Sequence, residues 1–291
     1  MSNPGWTELG CRRFDGQNAE ENRDSVVVEE PLELRINSTP LATVMRTPGD
    51  DRELALGFCF AEGVISGLAD VATLVVCGQA GPITSTSQPT ASTAPGWGNV
   101  IDLKTAPHVP QPTVDSHRLP AMSSCGVCGK RTIDDVLALA PPLQEPENGR
   151  GDATQPAISS AQLTRLPELL LEQQKLFHRT GALHGAGLFS PTGTLYGCRE
   201  DVGRHNAVDK VIGEALLSRQ LTLPECILQV SGRVSFEIVQ KAYRARIPII
   251  AAVSGVSSLA AALAQRADIT LIGFLRRTSF NVYSCPERIT R

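Results

Sequence analysis

Between residues 226 and 274 three apolar runs alternate with two stretches of helical period. The runs are Cys226-Ile227-Leu228-Gln229-Val230, Ile247-Pro248-Ile249-Ile250-Ala251-Ala252-Val253 and Ile269-Thr270-Leu271-Ile272-Gly273-Phe274. Each reads as a short buried strand. The stretches between them, to about Arg246 and from Leu259 to Arg266, read as helices. A β-α-β-α-β order implies parallel strands joined by right-handed crossovers, and so an α/β fold. In such a sheet the three strands end on one edge, where open α/β folds bind their ligands.

Those ends read Ser231-Gly232-Arg233, Ser254-Gly255-Val256-Ser257-Ser258 and Phe274-Leu275-Arg276-Arg277-Thr278-Ser279. Small residues let a ligand approach backbone N–H groups at helix starts, which suits phosphate. Arg233, Arg276 and Arg277 can add charge-assisted bonds to the same anion. No Walker or Gly-x-Gly-x-x-Gly motif accompanies them, so ordinary capping beside solvated arginines competes with phosphate binding.

The approach to this region is equally patterned. Residues 163–177 suggest a helix, which Pro167 either starts or kinks. The Gly-rich stretch 180–189 suggests a strand, residues 191–194 a turn, and 195–198 a return strand. Arg199-Glu200-Asp201-Val202-Gly203-Arg204-His205-Asn206 is a polar junction into a helix with Val208, Val211, Ile212, Ala215 and Leu216 on one face. Asp201, Arg204, His205 and Asp209 crowd that helix start and could bind a ligand, relay protons, or cap. His184 reads as a core histidine. A zinc deaminase would carry His-x-Glu before Cys-x-x-Cys. Here Ala186 stands at the Glu position and the Cys pair precedes the His, so deaminase chemistry lacks its acid/base.

The N-terminal half is less regular. Residues 14–30 are polar and acidic, with a strand expected only at Val26-Val27-Val28. Residues 32–36 alternate as a half-buried strand, 37–40 turn, and 42–46 return. A helix is expected over 52–65, with Cys59 as a small core residue, and strands over 71–76 and 100–103. Residues 78–98 are rich in Gly, Ser, Thr and Pro, a composition that cannot bury a core, so a mobile loop or hairpin tip is expected. Residues 105–120 form a Pro-rich linker in which His108 and His117 read as solvated.

That linker leads to Ser123-Ser124-Cys125-Gly126-Val127-Cys128-Gly129-Lys130. Glycine after each thiol allows a sharp turn that leaves sulfur exposed. A short helix follows, bounded by Pro141 and Pro142. The helix N-terminus, with Lys130 and Arg131, favours thiolate. Half a zinc site, a thioredoxin-like redox pair and inert thiols are the other readings of Cys-x-x-Cys. No second Cys pair exists to complete a zinc site. The thiols lie between a Pro-rich linker and a Pro-ended helix, so residues 121–130 are expected to form an arm that moves toward the strand ends.

The chain has 291 residues and a net charge of −3, which gives no sign of nonspecific nucleic-acid binding. Its first residues show no basic stretch followed by an apolar run, and no apolar run reaches membrane-spanning length. Eight cysteines without disulfide-framework spacing suit a reducing compartment, the cytoplasm.

Taken together, these stretches resemble the formate dehydrogenase accessory sulfurtransferases, the FdhD family. The matching segments are residues 123–130, 180–189, 199–213, 230–242, 247–260 and 269–283, with weaker similarity over 32–65. Arg-Glu-Asp-Val-Gly-Arg-His-Asn-Ala-Val-Asp-Lys, residues 199–210, is the most specific. Ala182 and Gly185 depart from residues often Gly and Ala there, and Gly255-Val256 from a common Ala-Pro. The resemblance implies a cytidine-deaminase-like three-layer core in residues 158–291, an N-terminal β-rich subdomain over 1–120, and a Cys-x-x-Cys loop, helix and linker over 121–157. It also implies a homodimer, and a sulfurtransferase that takes persulfide sulfur from a cysteine desulfurase. The sulfur then passes to the molybdenum cofactor, bis-molybdopterin guanine dinucleotide, for formate dehydrogenase. By family pattern Cys125 carries the persulfide and Cys128 is its partner. The segment Phe274, Leu275, Arg276, Arg277, Thr278 and Ser279 matches the family's cofactor-binding segment, so the resemblance implies that it binds the cofactor, with GDP as an analogue; Ser231, Gly232 and Arg233, read above from the strand ends, are expected beside it. A thiol-disulfide oxidoreductase and a non-catalytic cofactor chaperone are the competing readings.

Overall fold

A computed structural model describes residues 5–76, 79–81, 99–110, 132–140, 142–143, 156–218 and 223–291. The Cys125–Cys128 loop, His117 and most of the 78–98 stretch lie outside the described residues. So does the expectation of a moving arm at 121–130.

The first two strands, β1 (Trp6–Asp15) and β2 (Asn18–Val27), pair as an antiparallel hairpin. This corrects the reading of 14–30 as largely unstructured. The hairpin is polar on both faces, so no apolar period announces it. Opposite charges face each other across the strands, Arg12 opposite Glu21 and Arg13 opposite Glu20, and Arg23 lies 3.8 Å from Glu8. Arg179 anchors the hairpin by stacking 4.1 Å above the Trp6 ring and donating to Ser25 Oγ at 3.0 Å.

Next come β3 (Glu30–Ile36), β4 (Thr39–Arg46) and α1 (Asp51–Ala61). The turn at Asn37 and Ser38 has left-handed backbone, as short hairpins require. The helix stops four residues before the expected end, because Gly63 turns the chain at φ +76°. Strands β5 (Val71–Val76), β6 (Gln79–Gly81) and β7 (Val100–Thr105) complete a five-stranded sheet in the order β4-β3-β7-β5-β6. Leu32, Leu34, Ile36, Ile101 and Leu103 are all at most 1% exposed on its inner face. Cys59 is buried with them, as expected of a small core residue.

After α2 (Ile133–Leu137), capped by a Thr132–Asp135 capping box, the chain forms β8 (Ile158–Ser159). Three short helices follow: α3 (Ser160–Leu163), α4 (Leu166–Gln173) and α5 (Lys175–Thr180). A single helix was expected here; instead α4 starts afresh at Leu166 with Pro167 in its first turn, where the missing N–H costs nothing. The strand expected over 180–189 is shorter, because α5 runs to Thr180 and Gly181 ends it in left-handed conformation. It forms β9 (His184–Phe189), which pairs with β10 (Leu195–Asp201). Beyond lie α6 (Arg204–Ser218), β11 (Ile227–Val230), α7 (Phe236–Arg244), β12 (Ile249–Ala252), α8 (Ser258–Arg266) and β13 (Thr270–Gly273). Two strands not foreseen, β14 (Asn281–Ser284) and β15 (Ile289–Thr290), close the chain.

The C-terminal sheet has the order β10-β9-β11-β12-β13-β14. Strands β11, β12 and β13 run parallel, as their alternation with helices requires. Alternate residues face opposite layers. Leu228, Val230, Ile250, Ala252 and Leu271 pack toward α6, α7 and α8, whereas Ile227, Ile249, Ala251 and Ile272 pack against Leu163, Leu166 and Leu170 of α3 and α4. This is the three-layer α/β core expected of the C-terminal half.

The first of these clusters does not stop at the helices. It continues through α1 into Leu32, Leu34 and Leu103 of the five-stranded sheet. Two glycines make that continuity possible. A Cβ on Gly57 of α1 would lie 1.9 Å from the Asp209 carbonyl oxygen of α6, and one on Gly213 of α6 would lie 1.9 Å from the Glu53 carbonyl oxygen of α1. The two backbones touch reciprocally, which only residues without side chains permit. Gly57→Ala should therefore destabilise the protein by about 1–3 kcal/mol, although alanine is the better helix former. Gly213→Ala should do the same, and the pair together should fall short of the sum, since both open one crossing. Urea denaturation of the three variants checks this; a stabilised Gly57→Ala variant would contradict the contact.

Candidate functional site

The three strand ends do meet on one edge. Val253 N donates to the Val230 carbonyl at 3.1 Å, and Leu275 N to that of Ala252 at 3.0 Å. Past the strands, Val234 N donates to Gly255 O and Phe274 N to Ser254 O, each at 3.0 Å. Ser231 closes the other side: its N donates to Gly185 O, and Gly185 N returns a bond to Ser231 Oγ, both at 3.0 Å. Ser231, Gly232 and Arg233 thus lie between the start of β9 and the segment from Phe274 to Ser279.

The members of that last segment differ in role. Leu275 is 1% exposed and belongs to the core beneath the sheet. Phe274 is 47% exposed although its backbone holds φ at 53°, a region costly for a bulky side chain. Its ring lies over Gly255, where a Cβ would meet Phe274 Cζ at 2.9 Å. Arg276 is turned back on the strand ends, its Nη1 donating to the carbonyls of Val253 and Leu275. Arg277 pairs with Glu168 of α4. Thr278 and Ser279 are exposed, and Ser279 O accepts from Arg276 N at 2.8 Å, closing a tight turn.

The polar junction ahead of α6 separates into two networks. Asp201 is completely buried, and its carboxylate accepts from Thr47 N at 3.1 Å, Gly203 N at 2.8 Å and Asn206 Nδ2 at 2.9 Å. Its counter-charge is Lys210, 2.8 Å away and 1% exposed. Lys210 also donates to Thr47 O at 2.9 Å and Glu200 O at 3.3 Å. Asp209, although adjacent in sequence, faces the other way and accepts from Lys241 of α7 at 2.7 Å. Burial pushes the Asp209 carboxyl up to about 6, and the Lys241 ammonium pulls against that shift. Asp201 and Asp209 are therefore part of the scaffold rather than free acid groups.

His205 belongs to neither network. Its Nε2 lies 2.8 Å from Glu237 Oε2 and 3.0 Å from Ser235 Oγ, both at the start of α7. Burial lowers its pKa, while Glu237 opposes that shift. His184 is only half buried, so it is not the core histidine expected. Burial lowers its pKa first, and Arg204 and His205 lower it further. Thr47, Lys210, Ser235 and Glu237 were not singled out from sequence. Thr47 lies 163 residues from Lys210 and Ser235 lies 30 from His205, so no short-range signal marks these contacts.

Of the five described cysteines, Cys11 is exposed and the other four lie inside the fold. Burial pushes Cys198 and Cys226 up to about 12 and Cys285 up to about 11, and it raises Cys59 as well. None of these four offers a thiolate near neutral pH. His108, expected to be solvated, is exposed and lies 2.9 Å from Asp70. Among the described residues no helix is long and apolar enough to cross a membrane.

Breaking the buried pair at the junction tests its scaffold role. Lys210→Met leaves Asp201 charged and unpaired, and should cost about 3–5 kcal/mol in urea denaturation. Adding Asp201→Asn should recover part of that loss, because the orphaned charge is then gone. A single variant as stable as the parent would show that the pair is not what joins β4 to α6.

The family model described as the FdhD/NarQ family matches residues 27–290. A protein of Streptomyces coelicolor named sulfur carrier protein FdhD is 45% identical over 268 residues, which covers 91% of this chain and 89% of that one. The Mycobacterium tuberculosis protein of the same name is 46% identical over 271 residues, 92% of each chain. A crystal structure from Desulfotalea psychrophila, described as that of a formate dehydrogenase accessory protein, superposes with a TM-score of 0.73. It has 26% identity and covers 99% of this chain and 100% of that one.

Proposed function

The chain belongs to the FdhD/NarQ family, and from that premise we propose that it is a sulfur carrier serving the maturation of formate dehydrogenase. The observation that carries the reading is the division of labour among its thiols. Every described cysteine inside the fold is raised well above neutrality by burial. Cys125 and Cys128 stand instead beside glycines, Lys130 and Arg131, the setting that favours thiolate.

In the proposed reaction the Cys125 thiolate attacks the outer sulfur of a persulfide on a cysteine desulfurase. The donor's inner thiolate leaves, and Cys125 becomes the persulfide. Cys128 then attacks the inner sulfur, releases the outer one as sulfide to the molybdenum centre, and forms a disulfide with Cys125. A dithiol reductant of the cytoplasm returns both thiols. The acceptor is bis-molybdopterin guanine dinucleotide, bound as substrate along the strand-end edge. The exposed Phe274, the turn from Arg276 to Ser279, and the Ser231-Gly232-Arg233 loop offer a ring face, open backbone and positive charge for a large anionic ligand. The protein works as a homodimer in this reading, and a GDP molecule reports on the same site.

Incubation with a cysteine desulfurase and cysteine should add the mass of one sulfur atom to the peptide carrying Cys125, and a thiol reductant should remove it. Cys125→Ala should abolish formate dehydrogenase activation in cells. A Cys125→Ala protein that still supports that activity would overturn the carrier role. Dithiol cycling without any added sulfur would favour an oxidoreductase instead.

A further inference from the structure

We propose that Arg204, His184 and Arg233 form a subsite for a phosphate-class anion at the β9–β11 end of the edge, and that it takes the diphosphate of the nucleotide. The proposal rests on the cofactor-binding reading above and deepens it, because it places the charged end of the ligand on residues outside the Phe274–Ser279 segment.

Three observations converge. First, Arg204 Nε is shut off from solvent and has no hydrogen-bond partner. A buried guanidinium N–H without an acceptor is costly, so an arginine in that state is poised for an anion. Second, Arg204 and His184 meet across Gly232. A Cβ on Gly232 would lie 3.2 Å from His184 Nδ1 and 3.5 Å from Arg204 Cβ. The missing side chain leaves both groups facing the backbone of the loop that carries Arg233. Third, the nearby acids are already engaged. Asp201 is held by Lys210, Asn206 and two backbone N–H groups, and Glu237 is held by His205. Arg204, Arg233 and His205 all act on His184 as positive neighbours, and Asp201 opposes them. Two arginines gathered where the nearby acids are engaged, at the start of a 15-residue helix, favour an anion.

The position also suits the rest of the ligand. Adjacent strands lie about 4.8 Å apart, so the end of β13 stands roughly 10 Å from that of β11. A nucleoside diphosphate can bridge that span, with its base near Phe274 and its phosphates at Arg204 and Arg233.

Calorimetry on the full chain tests this with inorganic pyrophosphate, GDP and guanosine as probes. Pyrophosphate and GDP should both bind, and Arg204→Gln should weaken each at least tenfold while changing guanosine affinity little. Arg204 is partly buried, so circular dichroism must confirm that this variant folds. Arg233→Gln alters an exposed residue and should weaken pyrophosphate and GDP in the same direction, so it decides the matter if Arg204→Gln unfolds. Unchanged pyrophosphate affinity in the folded variants, or no pyrophosphate binding at millimolar concentration, would overturn the subsite. Persulfide loading of Cys125 on the unsubstituted protein is read separately. Loading without pyrophosphate binding removes the subsite alone, whereas pyrophosphate binding without loading supports the subsite and removes the carrier reading.

Discussion

Lys210 is the cation on which the strand-end edge depends. Its ammonium is buried and bonds at once to Thr47 O, Glu200 O and Asp201. These three come from the exit of β4 and the end of β10, so one group fixes the N-terminal half against the C-terminal sheet. Low surrounding dielectric makes the arrangement costly to break from either side. The same turn of α6 supplies the other joints. Asp209 presents its carbonyl to Gly57 of α1 and its carboxylate to Lys241 of α7, and Gly213 admits the backbone of α1. A rotation of α6 would disturb all of these contacts together.

That rigidity explains how the edge keeps its charge. The acids near the junction are spent on structure: Asp201 on Lys210, Glu237 on His205, and Glu168 on Arg277. Arg276 is spent on backbone carbonyls. What remains is positive at Arg204 and Arg233, with Arg204 Nε lacking a hydrogen-bond partner, and apolar at Phe274. Phe274 is held in left-handed backbone by neighbours on both sides, with Leu275 locked in the core and Phe274 N bonded to Ser254. Strain of this kind persists only where surrounding packing enforces it. The result is an exposed ring at a fixed height above Gly255, beside a fixed field of cations.

The C-terminal sheet could be read from sequence because its signals are local. Runs such as Ile249-Ile250-Ala251-Ala252 are apolar on both faces and bounded by Ser, Gly and Pro, so they can hardly be anything but buried parallel strands. The convergence of Ser231, Ser254 and Phe274 followed from topology alone. The β1–β2 hairpin was missed because it is polar on both faces and is anchored by Arg179, which is 154 residues from its partner Ser25. The helix expected over 163–177 was broken near Pro167 and again at Gln174, whose ψ of 74° leaves the helical region. At the junction, sequence identified Asp201, Arg204, His205 and Asp209 as a cluster but could not divide them. Residues 201 and 209 look alike on paper, and only the fold sends one to Lys210 and the other to Lys241.

The cysteines show how burial sorts chemistry. Cys285 stands near Asp268 and Glu287, with ligand atoms within 4.8 Å of one another, and in isolation that group resembles a metal site. Yet Arg288, 3% exposed, already pairs with Asp268 and lies between the carboxylates as a built-in cation. Burial and Asp268 also push the Cys285 thiol up to about 11, so it is protonated near neutrality and a poor metal ligand. Cys59, Cys198 and Cys226 are inert for the same reason of burial. Burial thus keeps the four thiols inside the fold protonated near neutral pH, whatever chemistry takes place outside it.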